Sequence, residues 1–469
     1  MNPTVRRLAG KIVPLALISA ALFMLAALAL GSLRYGGPDG LILRVRVALA
    51  QQRSGPAETP PPLVPTPLPT PAGGQPLALL ASAAPTASPE PALPTAAPAA
   101  AHRLPTLPTL PFAAVESLPD RPTATATPTS APSPTPLPTA TPAPPATPPP
   151  SAAGSGFLQL SGLAHYWQTW NNCGPATLAM NLSYYGLPLT QKQTAAVLKP
   201  NWDDKNVSPH ELAAFARAQG LEALVRVNGS PERLRQFIDA GIPVLIETWL
   251  DHDGGMGHYR LVVGYDDAAR QWIVYDSYIS DGLDPKAPYP GIRMGYDELV
   301  RLWRVFDGTY VLVYDQAQAA AAQQILGDEA DDGLMWQRSL ARAQAEAAAD
   351  PGDPFAWFNL GNSLAAQGRY AEAASAFDQA RVIGLPWRML WYQFEPLRAY
   401  YEAGRYAELL ALADSAIATA GNIEEIFYWR GRALQATGDS DGARAAYQRA
   451  AELNSNYAEP RQALSELGG

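Results

Sequence analysis

A single cysteine stands in this chain of 469 residues, in the run Gln168-Thr169-Trp170-Asn171-Asn172-Cys173-Gly174-Pro175-Ala176. An apolar helical stretch follows it and closes at Gly186. A thiol at a helix start meets backbone N–H groups that lack helical partners and the positive end of the helix dipole, and both favour the thiolate. The position suits a nucleophile; the competing reading is a buried, inert small apolar residue. A thiol nucleophile also needs a base for its proton, a third group to orient that base, and N–H donors aimed at the developing oxyanion.

The base is expected at His258, where a glycine-rich loop ending at Gly257 runs into the strand-like His258-Tyr-Arg-Leu-Val-Val-Gly-Tyr265. A second strand, Gln271-Trp-Ile-Val-Tyr275, ends at Asp276. Hairpin geometry chooses among the nearby carboxylates. With Asp266 to Arg270 as the turn, residue 258 faces residue 278, and Asp276 is the diagonal neighbour of His258 on the same face, at roughly 7–8 Å between backbone positions. Asp266 and Asp267 lie about eight residues or roughly 26 Å away at the far end. The competing histidine, His252, sits between two aspartates in the preceding loop. Gln168, five residues before Cys173, is near enough for its amide to join the Cys173 backbone N–H in an oxyanion hole. Tyr166, Trp167 and Trp170 crowd the same approach, as a cleft lining or as packing.

The pieces Gln168…Asn172-Cys173-Gly174-Pro175-Ala176, Gly257-His258-Tyr259…Val263-Gly264-Tyr265-Asp266 and Tyr275-Asp276-Ser277 resemble the Cys, His and Asp boxes of the bacteriocin-processing cysteine peptidases, family 39. The resemblance covers residues 157–315. It implies a papain-like α+β fold, Cys173 as nucleophile, His258 as base, Asp276 as its orienter and Gln168 as oxyanion donor. Gln168 stands one residue nearer the cysteine than in family members that cut leader peptides, and no ATP-driven transporter accompanies the domain in these residues. Cleavage after a double glycine is therefore not carried over.

Local signals place these boxes on a compact scaffold. Ser208-Pro209-His210-Glu211 is a capping box with proline at the first helical position, opening a helix that stops at Gly220. Ser230-Pro231 opens another that stops at Gly241. Apolar runs 221–227, 242–249, 258–265, 272–275 and 310–314 read as strands. The helix after Cys173 is apolar nearly all round, the mark of a buried central element.

Beyond residue 315 the chain turns alanine-rich and helical. Trp357-x2-Leu360-Gly361-x2-Leu364…Gly368-Arg-Tyr370-x2-Ala373…Phe377…Ala380 resembles a tetratricopeptide repeat, and two weaker copies follow around Gly404 and Gly438. Residues 351–469 are expected to form this array, with 316–350 a helical connector whose helix from Met335 to Ala349 caps it. Such repeats recruit peptides or proteins; the alternative is a brace for the peptidase domain.

The N-terminal third is of another kind. Arg6, Arg7 and Lys11 precede an apolar run over residues 12–31, long enough to cross a bilayer, so residues 1–34 read as a cytoplasmic tip and signal anchor. Ala27-Leu28-Ala29 is an alternative cleavage site, which would make the protein secreted. Residues 35–156 read as a disordered stalk, because residues 51–156 hold 30 of the 47 prolines mixed with Ala, Thr and Ser. A net charge of −9 without a basic stripe argues against a nucleic-acid partner. No metal-binding or phosphate-binding spacing is present, so no cofactor is expected. These readings converge on a single-pass membrane protein with an extracytoplasmic cysteine peptidase, acting on peptides or proteins through a Cys-His-Asp triad. An acyl transferase or transglutaminase with the same triad, and a non-catalytic peptide-binding scaffold, are the alternatives.

Overall fold

The computed structural model describes residues 156–468, except 202, 253–254, 280–282 and 284–286. The apolar run 12–31 and the proline-rich tract through residue 155, and with them the expected anchor and stalk, lie outside the described residues. Among the described residues no helix is long and apolar enough to cross a membrane.

Strand β1 (Phe157–Gln159) leads to helices α1 (Cys173–Tyr184), α2 (Gln191–Leu198) and α3 (Pro209–Ala218). Then come β2 (Glu222–Arg226), α4 (Pro231–Asp239), β3 (Val244–Trp249), β4 (Gly257–Asp266), β5 (Gln271–Asp276) and β6 (Ile292–Gly295). Helix α5 (Tyr296–Trp303) and strand β7 (Tyr310–Tyr314) complete an α+β domain. Its seven strands pair antiparallel in the order β2-β7-β3-β4-β5-β6, with β1 added alongside the end of β4. The five expected strands are there; β1, β6, α2 and α5 are additions that short, weakly patterned segments did not announce.

Helix starts follow their sequence signals. Ser208 Oγ accepts from the Glu211 N–H at 3.3 Å while Glu211 Oε2 accepts from the Ser208 N–H at 2.8 Å, and Ser230 caps α4 through the Arg233 N–H. Helix α1 is buried from Gly174 through Leu182, in keeping with its all-round apolar sequence. Its polar residues are absorbed by the backbone around it: Thr177 Oγ1 donates to the Tyr259 carbonyl at 3.1 Å and Asn181 Nδ2 to the Pro243 carbonyl at 3.3 Å. The helix is thereby fixed against β4, the strand that carries His258.

Helices α6 (Ala319–Leu326) and α7 (Asp332–Ala349) lead into three antiparallel pairs: α8 (Pro354–Ala366) with α9 (Tyr370–Ile383), α10 (Glu395–Glu402) with α11 (Tyr406–Thr419), and α12 (Glu424–Ala436) with α13 (Ser440–Leu453). Helix α14 (Ala458–Gly468) closes the described chain. The small positions have a geometric reason. A Cβ at Gly361 would fall 2.5 Å from the Phe377 ring, and one at Gly431 would fall 2.6 Å from the Tyr447 ring, so glycine lets each helix pair close on an aromatic.

The two regions share one apolar core, running from the sheet through Trp303 and Phe306 into Trp357, Phe358, Phe377 and Leu397. Polar groups tie the same joint. Arg342 donates to the Asp307 carbonyl at 2.9 Å, and Asn359 Nδ2 donates to the Arg304 carbonyl at 2.8 Å. Further along, Asn422 Nδ2 donates to Asp203 Oδ2 at 2.9 Å and Asn456 Nδ2 to the Val197 carbonyl at 2.6 Å. Of the two roles open to the repeats in the sequence, bracing is therefore visible in the fold.

Candidate active site

Cys173 is the first residue of α1, and no side chain caps this helix start. Asn171 takes a left-handed conformation (φ 53°) that turns the chain into the helix, and Pro175 brings no N–H, which leaves the first-turn donors of Cys173 and Gly174 at the tip. The half-buried thiol is in hydrogen-bonding contact with the His258 ring. His258 enters on the second residue of β4 and is only 4 % exposed. Its Nε2 lies 3.1 Å from Asp276 Oδ1 at the end of β5, which leaves Nδ1 for the thiol. Cys173, His258 and Asp276 thus form one contiguous chain of contacts. His252, the competing histidine, is exposed on the preceding loop.

The β-hairpin reaches this result by an unexpected route. The turn is one residue shorter than the expected Asp266-to-Arg270 span, since Asp266 pairs with Gln271 and Tyr265 with Trp272. An extra residue on β4 between Val262 and Gly264, a β-bulge, then shifts the pairing by one, so that Val262 faces Val274 and Arg260 faces Asp276. Two errors of one residue cancel, and Asp276 ends diagonal to His258 on the same face. Asp267 instead holds Arg235 in a two-pronged ion pair, and Asp266 Oδ1 accepts from the Ala269 N–H at 3.1 Å inside the turn.

Asp276 is completely buried and fully used. Oδ1 also accepts from the Tyr278 N–H at 2.7 Å and the Ile279 N–H at 2.8 Å, and Oδ2 accepts from Arg260 Nε at 3.0 Å. Burial alone would push its carboxyl up, but the charges of His258 and Arg260 and these donors outweigh it and hold the group well below the usual carboxylate range. Arg260, 1 % exposed, is the residue that sequence reasoning missed. It sits two positions after His258, hence on the same strand face, and its remaining donors are taken by the Trp249 and Leu250 carbonyls, both at 2.7 Å, and by Thr248 Oγ1. The alternation of β4 was the available signal: an arginine in phase with the base must share its environment.

Burial pushes the Cys173 thiol up, yet contact with His258, the Tyr259 backbone and the charge of Lys199 together bring it below its ordinary value. The His258 imidazole responds in the opposite sense: burial disfavours its charged form, and Asp276 with Cys173 more than restores it, so it titrates above its ordinary value. Both directions favour a thiolate beside an imidazolium. Lys199, at the end of α2, donates to the Asn171 carbonyl at 2.8 Å and is pushed down to about 8, chiefly by burial.

Gln168 is 8 % exposed, and its placement is settled by its neighbour in the third box. Its Oε1 accepts from Ser277 Oγ at 2.7 Å and its N–H donates to the Ser277 carbonyl at 2.9 Å, which fixes the amide's orientation and aims Nε2 away from Ser277. Gln168, Cys173 and His258 line one cavity of about 180 Å³. Trp170, on the same wall, is held by Asp203 Oδ1 at 2.7 Å. Trp167 packs edge-on to His165. That histidine donates to the Asp276 carbonyl at 2.8 Å, stacks on Tyr289, and is pushed down to about 4 by burial, so it is a neutral support behind the carboxylate. Glu247 lies beneath the thiol; burial, then the charges of Cys173 and Glu395, raise its carboxyl well above the usual range. Among the described residues no His, Cys, Asp or Glu cluster is arranged to hold a metal ion.

Residues 159–310 match the Peptidase_C39 like family, and residues 354–383 and 424–457 match the tetratricopeptide repeat. Among solved structures, a putative C39-like peptidase from Bacillus anthracis is similar at 17 % identity, over 34 % of this chain and 98 % of that one, with a TM-score of 0.28. A double glycine motif protease from an AMS/PCAT transporter, in complex with its leader peptide, is similar at 19 % identity over 34 % of this chain and 95 % of that one, with a TM-score of 0.25. The first tetratricopeptide repeat domain of Spaghetti (RPAP3), bound to an HSP90 peptide, is similar at 22 % identity over 25 % of this chain and 90 % of that one, with a TM-score of 0.23. No curated protein matches the sequence.

Proposed function

A C39-like peptidase domain fused to tetratricopeptide repeats is the premise, and from it we propose that this protein hydrolyses peptide bonds by thiol chemistry at Cys173. The observation that carries the reading is the continuous contact from the Cys173 thiol to the His258 ring and on to Asp276 Oδ1 at 3.1 Å. His258 takes the thiol proton through Nδ1, and Asp276 holds Nε2–H and favours the resulting imidazolium. The thiolate attacks the substrate carbonyl carbon; the Cys173 N–H and Gln168 Nε2 stabilise the oxyanion. His258 then protonates the departing amine, takes a proton from water, and the resulting hydroxide resolves the thioester to free acid and thiol.

The repeats fit a role in holding protein or peptide substrates as well as bracing the domain. The apolar run 12–31 and the proline-rich tract extend the proposal to a protein anchored in a membrane, with the peptidase outside the cytoplasm. The test is incubation of the full chain with a diverse peptide library, with added amine in parallel, and sequencing of the products. Hydrolysis by the wild type and its loss in Cys173→Ala supports the peptidase. Retained hydrolysis in Cys173→Ala would sink the mechanism, and amide products in place of acids would make the protein a transferase.

A further inference from the structure

The cavity that holds Cys173, His258 and Gln168 is not built by the peptidase domain alone. Its opposite wall is Arg388, Trp391 and Tyr392, which belong to the repeats. Residues 384–394 join α9 to α10, whereas residues 420–423 suffice between α11 and α12, and the longer connection is what reaches the cleft. It is firmly held: Leu385, Met389 and Leu390 are buried, and residues 387–391 form a short 3-10 helix. Trp391 stands edge-on to Trp387 with centroids 4.9 Å apart and donates from Nε1 to Thr419 Oγ1 at 3.4 Å. Arg388 covers both indoles, 4.8 Å from the Trp387 ring and 5.7 Å from the Trp391 ring. Tyr392 packs against the residue next to His258: a Cβ at Gly257 would lie 2.9 Å from its ring, so the glycine is required for this approach.

From the peptidase side the same cavity receives Leu250, Met256 and Tyr278. Besides the reacting groups, Asn171, Lys205 and Arg388 bring polar groups to its rim, and the rest of the lining, Trp170, Leu250, Met256, Tyr278, Trp391 and Tyr392, is apolar and aromatic. An apolar cavity of about 150 Å³ takes a benzene ring, and this one measures about 180 Å³.

We propose that Trp391 and Tyr392 of the repeat region form one wall of a specificity pocket beside Cys173, which takes a large apolar side chain on the acyl side of the substrate, the part that stays on the thiol in the thioester. The proposal rests on the peptidase reading only for the identity of the substrate as a peptide. The pocket itself is tested without hydrolysis.

The probes are peptidyl acyloxymethyl ketones carrying Gly, Ala, Leu or Phe in turn at each of the three positions before the electrophile. Labelling of Cys173 in the full chain is followed by intact mass, and each rate is divided by that with iodoacetamide, which reports the thiolate alone. Wild type is expected to favour Leu or Phe over Ala at one position by about tenfold or more, the worth of a buried apolar group. Trp391→Ala should collapse that ratio towards unity, and Trp391→Leu, which keeps apolar mass and decides the matter should the alanine variant melt early, should shift the preference towards Phe. No size preference in wild type, or the wild-type ratio and order kept in a folded Trp391 variant, would overturn the proposal. A size preference that persists in a protein without hydrolytic activity supports the pocket and counts against the peptidase.

Discussion

Two groups of buried carboxylates in this molecule meet opposite fates. At the end of β5, Asp276 has a cation on either side and two backbone donors, and it stays ionised. Where the last repeats meet the α+β domain, Asp204, Glu424 and Glu425 crowd together, with the Lys199 charge as a partial balance. Asn206 Nδ2 reaches Glu425 Oε1 at 3.5 Å and Asn454 Nδ2 reaches Glu424 Oε1 at 2.7 Å, but Asp204 Oδ2, Glu424 Oε2 and Glu425 Oε2 have no hydrogen-bond partner. Burial raises all three, Glu424 to about 7; repulsion from Glu424 adds to the rise at Asp204 and Glu425 and repulsion from Glu211 adds to it at Glu424, while neighbouring hydrogen bonds temper the rise and the Lys199 charge tempers it at Asp204 and Glu424. Burial thus gives a fixed charge where partners are supplied and a proton-binding site where they are not.

The comparison is broken most severely by Asp276→Ala, which leaves Arg260 buried with its carboxylate gone and His258 without an orienter. Loss of one partner of a buried pair costs about 3–5 kcal/mol, and kcat/KM should fall roughly tenfold or more, at least about 1.4 kcal/mol of transition-state stabilisation. Thermal melts beside the kinetics separate the two losses. Asp267→Asn, at the far end of the hairpin, should leave kcat/KM near wild type.

Arg260→Gln tests whether the matched charge matters in its own right. Its cationic charge opposes the imidazolium, so its removal should raise His258 further and move the alkaline limb of the rate profile upward, while turnover falls by several-fold to about tenfold. A merely structural arginine would lower stability without moving that limb. A smaller effect is expected in the thiol itself. Because Cys173 titrates below its ordinary value, the pH midpoint of its alkylation by iodoacetamide should lie below that of an ordinary thiol. In His258→Ala the alkylation midpoint should move up; an unchanged midpoint would show that the histidine does not tune the thiol.

The smallest effect belongs to the unmatched cluster, and it has the opposite sign. A carboxyl raised from about 4.3 when unfolded to about 7 in the folded chain contributes stability that is complete below the lower value and is lost as pH rises through the upper one. Melting temperature should therefore fall between about pH 4 and pH 8, most of the fall coming below about pH 7. Glu424→Gln combined with Glu425→Gln should flatten that fall and stabilise the protein at pH 8 by about 1–2 kcal/mol, as read by thermal melts at both pH values.

How far the sequence speaks depends on whether a residue's role is local. Cys173 at a helix start, His258 at the head of a strand and the capping box at Ser208 are written in neighbouring residues, and each falls where those neighbours place it. The hairpin register is only half local: the turn length and the bulge at Val263 were both invisible, and Asp276 was found because they offset each other. Arg260, Ser277 and Lys199 act through residues far along the chain, and an arginine inside an alternating strand is ordinarily a solvent-facing residue. What changes its meaning is Asp276 directly across the sheet, together with the Trp249 and Leu250 carbonyls at the end of β3. The bracing role of the repeats was open in the sequence but its contacts were not, since Asn422 and Asn456 look like any loop asparagines until Asp203 and the Val197 carbonyl are placed against them.

The shared core has a consequence for how such a chain can change over generations. Separately inherited modules can be exchanged when their surfaces ignore each other, but here Trp249 and Phe306 of one region are in ring contact with Tyr392 of the other. A recombination that delivered a foreign repeat array would strip aromatic cover from the sheet and remove a wall from beside Cys173 in one step. Variation should then accumulate on the faces of the repeats turned away from this joint, while the residues along it change, when they change at all, in pairs.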